Sequence, residues 1–146
     1  MKDFKRLYNI AFSIAQSAHM NQKDKGGMPY LLHPIRVSQK CRTCESKIAA
    51  LLHDVVEDSS INLDYLRMKG ISERVVNAVD SLTRRENESY KEFIDRVSLD
   101  PIAIEVKIAD LEDNMDVSRL DELTDADMTR LSKYHYFHKY LKDLGR

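Results

Sequence analysis

The chain has 146 residues, 42% of them hydrophobic, and a formal net charge of −1 from 23 Lys and Arg against 24 Asp and Glu. This length fits one compact domain and excludes two independent catalytic domains, so we predict that residues 1–146 form a single domain. The hydrophobic fraction excludes a disordered chain, and the balanced charge offers no overall basic field to a nucleic acid. The presence of only 4 Gly and 3 Pro favours long helices and an all-α fold.

The N-terminal segment carries charges within its first six residues. It lacks the apolar stretch and the small-residue cleavage site of a signal peptide. No apolar run approaches the roughly 18 residues that a membrane span needs, and the two cysteines indicate no disulfide framework. We therefore expect a cytoplasmic protein without membrane or nucleic-acid partners.

The first elements are a helix, an exposed loop and a second helix. Apolar residues recur at three- and four-residue steps and predict a helix over roughly 3–20. The loop NQKDKGGMP follows, and its lysines and glycines predict an exposed segment that is able to reach a ligand. Pro34 suits a first helical position, so His33 is the predicted N-cap of a helix that ends near Lys40.

The next predicted helix covers about 45–58 and has two chemically different faces. Its apolar residues are Ile48, Leu51, Leu52, Val55 and Val56. At about 100° per residue, the opposite face carries four polar residues, which are His53, Asp54, Glu57 and Asp58. Such a cluster on one helix is more often a solvated acidic face than a site, so it needs support from elsewhere in the chain.

Shorter helices follow, and they end near Gly70, Thr83 and Val97. The predicted N-caps of these helices are Asn62, Ser72 and Ser89. Asp100-Pro101 predicts the start of a helix that runs to about Asp116. Thr124 and Asp127 resemble a capping box for a final helix that ends at Gly145. The expected architecture is a bundle of about six to eight helices.

The helix that begins at Pro101 provides a second polar face. Its expected packing stripe consists of Ile104, Ile108, Leu111 and Met115. Asp110 and Asn114 project from the opposite side, one turn apart, with Lys107 nearby. A carboxylate is therefore available to meet the His53 and Asp54 face of the earlier helix.

His33 adds an imidazole, and the positive end of the helix dipole is expected to keep it neutral and ready to bind a metal. The resulting candidate ligands are His33, His53, Asp54 and Asp110. Two imidazoles and two carboxylates suit Mn²⁺ or Fe²⁺, with Zn²⁺ as second choice and Mg²⁺ as a further alternative. Such a cation acidifies water and neutralises phosphoryl oxygens, which are the two needs of phosphate-ester hydrolysis.

Three segments, PYLLHP, LLHDVVED and KIADLEDNM, resemble the motifs of HD-domain phosphohydrolases, and most of all those of the hydrolase domain of RelA/SpoT homologues. They extend from about Ala18 to Met115 in the family's order. The resemblance implies an all-α HD domain that binds Mn²⁺ through His33, His53, Asp54 and Asp110. It also implies that Glu57 and Asp58 activate or orient the attacking water. The substrate-binding residues that it implies are Lys25, Asn114 and Tyr134.

Family members of this size are similar to small alarmone hydrolases, which convert (p)ppGpp to GDP or GTP and pyrophosphate and have no synthetase. The sequence departs from the family at two places. Only Lys25 of the usual Arg-Lys pair is present in Lys23-Asp24-Lys25-Gly26, and Leu111-Glu112-Asp113 replaces the usual Arg-Leu-His. These departures leave open an adenine alarmone or a nucleoside monophosphate as substrate. A non-catalytic module that binds a nucleotide or a protein also remains open, as does a homodimer.

Two other features are given structural interpretations. Cys41 and Cys44 form a CxxC motif without a second pair, so we expect packing or surface thiols. His19 ends an apolar helix, and we expect it to be hydrogen-bonded and structural.

Overall fold

A computed structural model describes residues 2–144, which form nine α-helices, one short 3₁₀ segment and no strand. The α-helices are α1 (Lys2–Ala18), α2 (Leu32–Lys40), α3 (Cys44–Leu52), α4 (Val55–Asp58), α5 (Leu63–Met68), α6 (Glu73–Ser81), α7 (Tyr90–Val97), α8 (Pro101–Asn114) and α9 (Asp125–Leu144). The 3₁₀ segment covers Val117–Arg119. The all-α prediction is confirmed. The α3 and α4 segments occupy the one helix that the sequence predicted, and counting them together gives eight helices.

The helix starts follow the capping residues read from the sequence. Asn62, Ser72 and Ser89 each accept a backbone N–H of their own helix, which fixes the starts of α5, α6 and α7. Asp100 does the same for α8, directly before its first-turn proline. Thr124 exchanges two hydrogen bonds with Asp127 at the start of α9, as predicted. The predicted end at Gly145 lies outside the described residues.

Two helix boundaries differ from the prediction, and both lie next to the candidate site. Helix α2 begins at Leu32, so His33 lies inside the first turn and is not an N-cap. The fold tolerates this position because Pro34 is still in the first turn, where its missing N–H has no helical partner. The helix predicted over 45–58 breaks after Leu52. In a continuous helix, the Ala50 carbonyl oxygen would accept a hydrogen bond from the backbone N–H of Asp54. Here it accepts from the His53 ring instead, at 2.6 Å.

The core lies around α3 and α8. Helices α2, α3 and α8 pack on one another, α1 packs on α3, and α9 packs on α8. Four of the five residues predicted for the apolar face of α3 and α4 are buried, namely Ile48, Leu51, Leu52 and, beyond the break, Val55. The fifth, Val56, is half-buried and packs against the core.

The predicted orientation of α8 is only partly correct. Ile104 and Ile108 of the expected stripe are half-buried, whereas Lys107, Asp110 and Asp113 on other faces are buried. Several helices cover α8, so its charged residues face the protein interior, where each has a charged partner. The inward charges bring α8 into the candidate site.

The glycine-containing loop between α1 and α2 packs against the 3₁₀ segment. A Cβ atom at Gly26 would lie 3.0 Å from the Arg119 carbonyl oxygen, which explains a glycine at this position. Gly27 has a φ of 86°, which a side chain would strain. Across the described residues, no helix combines the length and apolar character that crossing a bilayer requires.

Candidate metal centre and active site

Four side chains from three separate parts of the chain converge between α2, α3 and α8. One ligand-capable atom from each of His33, His53 and Asp54 lies within 4.8 Å of the others. Asp110 Oδ1 joins them, at 2.9 Å from His33 Nε2 and 3.3 Å from His53 Nε2. The structure therefore brings together all four residues that the sequence singled out as metal ligands.

The Nδ1 atoms of the two imidazoles are already engaged. His53 Nδ1 donates to the Ala50 carbonyl oxygen at 2.6 Å, and His33 Nδ1 donates to Asp113 Oδ2 at the same distance. Both acceptors lack a proton to give, so each Nδ1 carries the hydrogen. This arrangement turns both Nε2 atoms toward the carboxylates, which is how metal-binding histidines are usually held.

The helix dipole does not control the charge of His33, contrary to the expectation from its position. Burial lowers the pKa of His33, but hydrogen bonds to Asp110 and Asp113 raise it more, to about 8. The pKa of the fully buried His53 is also raised, because the attraction of Asp54 and Asp110 outweighs the desolvation of the ring. The site therefore favours positive charge between its carboxylates.

Asp110 is the most constrained of the four residues. Its Oδ2 accepts from the buried Lys107 ammonium at 2.9 Å, and Asn114 Nδ2 lies 3.3 Å from Oδ1. Burial opposes ionisation of Asp110, but Lys107 and the two histidines hold its pKa well below the usual range. Lys107 is thus engaged inside the protein, where it positions a carboxylate.

Asp54 is held by a residue whose role the sequence did not reveal. The Tyr30 hydroxyl donates to Asp54 Oδ2 at 2.5 Å. Tyr30 belongs to the PYLLHP segment, where only the histidine had been assigned a role. Burial and the neighbouring Asp54 charge raise the pKa of Tyr30, so it remains a hydrogen-bond donor at neutral pH.

Glu57 and Asp58 lie on α4, the single turn that directly follows Asp54. Both side chains are exposed, and Glu57 Oε1 accepts from the backbone N–H of Arg84 at 3.1 Å. Partial desolvation of its carboxyl group by the surrounding protein, followed by the charges of Asp54 and Glu57, raises the pKa of Asp58 to about 6. A carboxyl group with this pKa is suited to proton transfer near neutral pH.

A cavity of about 280 Å³ opens beside His33. Its lining includes all three residues predicted to bind substrate, Lys25, Asn114 and Tyr134. The loop between α1 and α2 contributes Lys23 and Lys25, both exposed. The loop therefore lies where it can contact a ligand in the cavity, as the sequence predicted.

Three arginines that the sequence motifs did not indicate line the same cavity. Each pairs with a carboxylate, in the pairs Arg36–Asp113, Arg119–Asp116 and Arg130–Asp127. The sequence spacing does place Arg36 on the same face of α2 as His33, three residues away. It likewise places Asp113 on the same face of α8 as Asp110. Nothing in the spacing indicated that these two pairs face each other.

The structure agrees with a structural role for His19, Cys41 and Cys44. His19 Nδ1 is 2.9 Å from Gln22 Oε1, and its ring is buried. Cys41 is buried and Cys44 is exposed, and both are free thiols.

Comparison with known proteins identifies the family of this chain. The profile of the HD domain matches residues 11–100, which include three of the four converging side chains. The chain belongs to the HD-domain family. A His-Asp dipeptide, His53-Asp54, lies within the matched residues, at the break between α3 and α4.

Similar proteins include enzymes of guanosine tetraphosphate metabolism. The guanosine-3′,5′-bis(diphosphate) 3′-pyrophosphohydrolase of Aquifex aeolicus is 32% identical over 117 residues, which cover 72% of this chain and 17% of that protein. The bifunctional (p)ppGpp synthase/hydrolase SpoT of Escherichia coli is 33% identical over 121 residues, with the same coverage of 72% and 17%. The HD-domain chain thus spans about a sixth of the length of these curated relatives.

A solved structure resembles the HD-domain chain over nearly its full length. It is described as a metazoan ortholog of SpoT that hydrolyses ppGpp and plays a role in starvation responses. The TM-score is 0.76 at 25% sequence identity, and the match covers 96% of this chain and 85% of that chain.

Proposed function

We propose that residues 1–146 form one metal-dependent phosphohydrolase domain that removes the 3′-pyrophosphate from (p)ppGpp, giving GDP or GTP, without synthesising it. The observation that carries the proposal is the convergence of two imidazoles and two carboxylates, His33, His53, Asp54 and Asp110, beside a cavity with two exposed lysines. The names of the relatives and of the structural neighbour supply the substrate class. A substrate of this kind is a cytoplasmic solute, and we place the protein in the cytoplasm.

The donor set fits a divalent cation. Both histidines have Nδ1 occupied by a backbone or carboxylate acceptor, so Nε2 is the atom left for a metal. We assign the cation to His33, His53, Asp54 and Asp110, with Mn²⁺ preferred for this mixture of nitrogen and oxygen ligands and Fe²⁺, Zn²⁺ and Mg²⁺ as alternatives. When bound, the cation supplies positive charge for phosphoryl oxygens and acidifies water.

The catalytic residues in this proposal are Glu57 and Asp58. Water adds its oxygen to the phosphorus attached to O3′, the bond from phosphorus to O3′ breaks, and O3′ leaves as a hydroxyl. Asp58 accepts the proton that the water releases and returns it to O3′ as the bond from phosphorus to O3′ breaks, for which its raised pKa of about 6 is suitable. Glu57 orients the attacking water from the same helical turn, and its carboxylate accepts a hydrogen bond from the Arg84 backbone N–H.

The nucleotide is assigned to the cavity. Lys25 is placed beside the base and the negatively charged phosphates, and Tyr134 flanks the nucleotide from α9. Asn114 lines the same cavity one turn after Asp110, and we assign its amide to a contact with the substrate beside the metal ligands. We leave dimerisation as a hypothesis to be tested by sedimentation, since the site needs no second copy.

The experiment that tests this proposal is a substrate panel. Protein loaded with Mn²⁺ is incubated with (p)ppGpp, (p)ppApp, nucleoside monophosphates and dinucleotides, and the products are identified. Pyrophosphate release from guanine 3′-diphosphates supports the proposal. Preference for (p)ppApp, or orthophosphate release from monophosphates, would assign the same site to another nucleotide. No turnover with any divalent cation would favour the non-catalytic binding module.

A further inference from the structure

Asp113 connects the metal ligands to the wall of the cavity. Its Oδ2 accepts from His33 Nδ1 at 2.6 Å, and its Oδ1 accepts from Arg36 Nε at 2.7 Å. Arg36 also donates to Oδ2 through a second nitrogen at 3.0 Å, which makes the pair bidentate. One carboxylate therefore holds an imidazole on one side and a guanidinium on the other.

The surroundings of Asp113 are those of a fixed anion. The side chain is only 3% exposed, so an unpaired charge there would be strongly unfavourable. The Arg119 guanidinium lies 3.6 Å from Oδ2 and donates to the Asp113 carbonyl at 3.1 Å. Both arginines line the cavity, whereas His33 Nε2 faces Asp110.

We propose that Asp113 is a positioning residue that orients His33 for the cation and Arg36 for the substrate at the same time. The inference rests on the proposed function, since it assigns a role relative to that metal site. An anionic acceptor at Nδ1 fixes the ring orientation and strengthens Nε2 as a ligand. The same anion prevents the Arg36 guanidinium from rotating away from the cavity.

Asparagine at this position separates the two roles of the carboxylate. It has nearly the same shape but only one oxygen, so it cannot accept from His33 and from Arg36 Nε with separate oxygen atoms. We expect Asp113→Asn to weaken Mn²⁺ binding by about 10- to 100-fold, the loss typical of outer partners of metal-bound histidines. We also expect it to raise KM for the nucleotide.

Arg36→Met supplies the matched comparison because it removes the arm toward the cavity, while His33 and Arg119 remain beside the Asp113 carboxylate. It should raise KM and leave the Kd for Mn²⁺ close to that of the unmodified protein. Asp64→Asn is the control, since it removes a carboxylate from an arginine pair on the exposed surface of α5. That variant should change neither quantity.

The measurement is the Kd for Mn²⁺, obtained from the electron paramagnetic resonance signal of the free ion, on variants whose helical circular dichroism equals that of the unmodified protein. A merely structural role for Asp113 would lower the melting temperature without changing this Kd. Asp113→Asn with an unchanged Kd would overturn the inference and leave the proposed function standing. If the unmodified protein binds none of Mn²⁺, Fe²⁺, Zn²⁺ and Mg²⁺, the proposed function and the inference both fall. If Asp113→Asn does not fold, Asp113→Glu keeps the test available, with a weaker Mn²⁺ Kd expected and an unchanged Kd counting against the inference.

Discussion

His33 and Asp110 are 77 residues apart in the chain, and their side chains meet at 2.9 Å between Nε2 and Oδ1. The contact joins the first turn of α2 to the third turn of α8 in the protein interior. The same Asp110 oxygen lies 3.3 Å from His53 Nε2. Imidazole nitrogens and carboxylate oxygens grouped in this way are ligands that suit a divalent cation.

Asp110→Asn should lower turnover by more than about 100-fold, since the loss of an outer partner alone costs up to that much and Asp110 is assigned to the cation itself. Asparagine is preferred to alanine, because alanine would leave the buried Lys107 ammonium without its partner, at a cost of about 3–5 kcal/mol. Pyrophosphate release and bound Mn²⁺ are measured together. Asp95→Asn on the surface of α7 is the control, and substantial residual activity in Asp110→Asn would remove Asp110 from the metal site.

Asp58→Asn should lower kcat by about 100- to 10,000-fold, the usual contribution of a general base. The same variant should be more stable than the unmodified protein at neutral pH. Burial and the Asp54 charge raise the pKa of Asp58 from 3.8 to about 6, so ionising this group costs the folded state free energy above that pH.

The gain in stability has a defined pH window. It should be absent below about pH 3.8, grow up to pH 6 and then stay level, at about 1 kcal/mol because the exposed group is screened by solvent. For a chain of this size that corresponds to about 2–4 °C in melting temperature. Thermal unfolding without added cations measures it, with Asp143→Asn as a surface control. Equal melting temperatures of Asp58→Asn and the unmodified protein at pH 8 would show that ionised Asp58 does not destabilise the fold.

Lys25→Ala should raise KM for the nucleotide by about tenfold, equivalent to about 1.4 kcal/mol, and leave kcat nearly unchanged. The reason is that Lys25 lines the cavity from the exposed loop before α2, whereas the four converging residues lie on α2, on α8 and at the break between α3 and α4. Steady-state kinetics with ppGpp measures both constants. Lys139→Ala, an exposed lysine on α9, should behave as the unmodified protein, and a selective loss of kcat in Lys25→Ala would place that lysine at the reacting phosphorus instead.

Glu88→Gln should destabilise the protein by about 1 kcal/mol at pH 7. Glu88 Oε2 accepts from Arg96 Nε at 2.6 Å, and this partner lowers the pKa of Glu88 to about 2 from 4.5. The stabilisation is complete above pH 4.5 and disappears as the pH falls toward 2.

The difference between the Glu88→Gln variant and the unmodified protein should therefore vanish in acid. Urea unfolding from pH 2 to pH 7 checks this, with Glu86→Gln from the same loop as the control. A constant difference across that range would show that the ion pair contributes little and that the substitution acts through packing.

Much of the helical architecture could be predicted from local sequence. Helix starts at Ser72, Ser89 and Asp100 are determined by side chains that accept hydrogen bonds from their own first turns. These bonds join residues two or three positions apart, so the sequence contains both partners. The four ligand candidates were likewise identified from motifs, because His, Asp and their spacing are visible without a structure.

The tertiary structure decided what the neighbours of those residues do. The bonds from Asp113 to His33 and from Tyr30 to Asp54 join residues 80 and 24 positions apart. The helix break after Leu52 and the buried charges of α8 also depend on contacts with other helices, which override local periodicity. The sequence by itself thus determined which chemical groups are available, whereas helix packing determined which of them come into contact. The physical reason is that a buried charge is unfavourable unless the fold places an oppositely charged partner beside it.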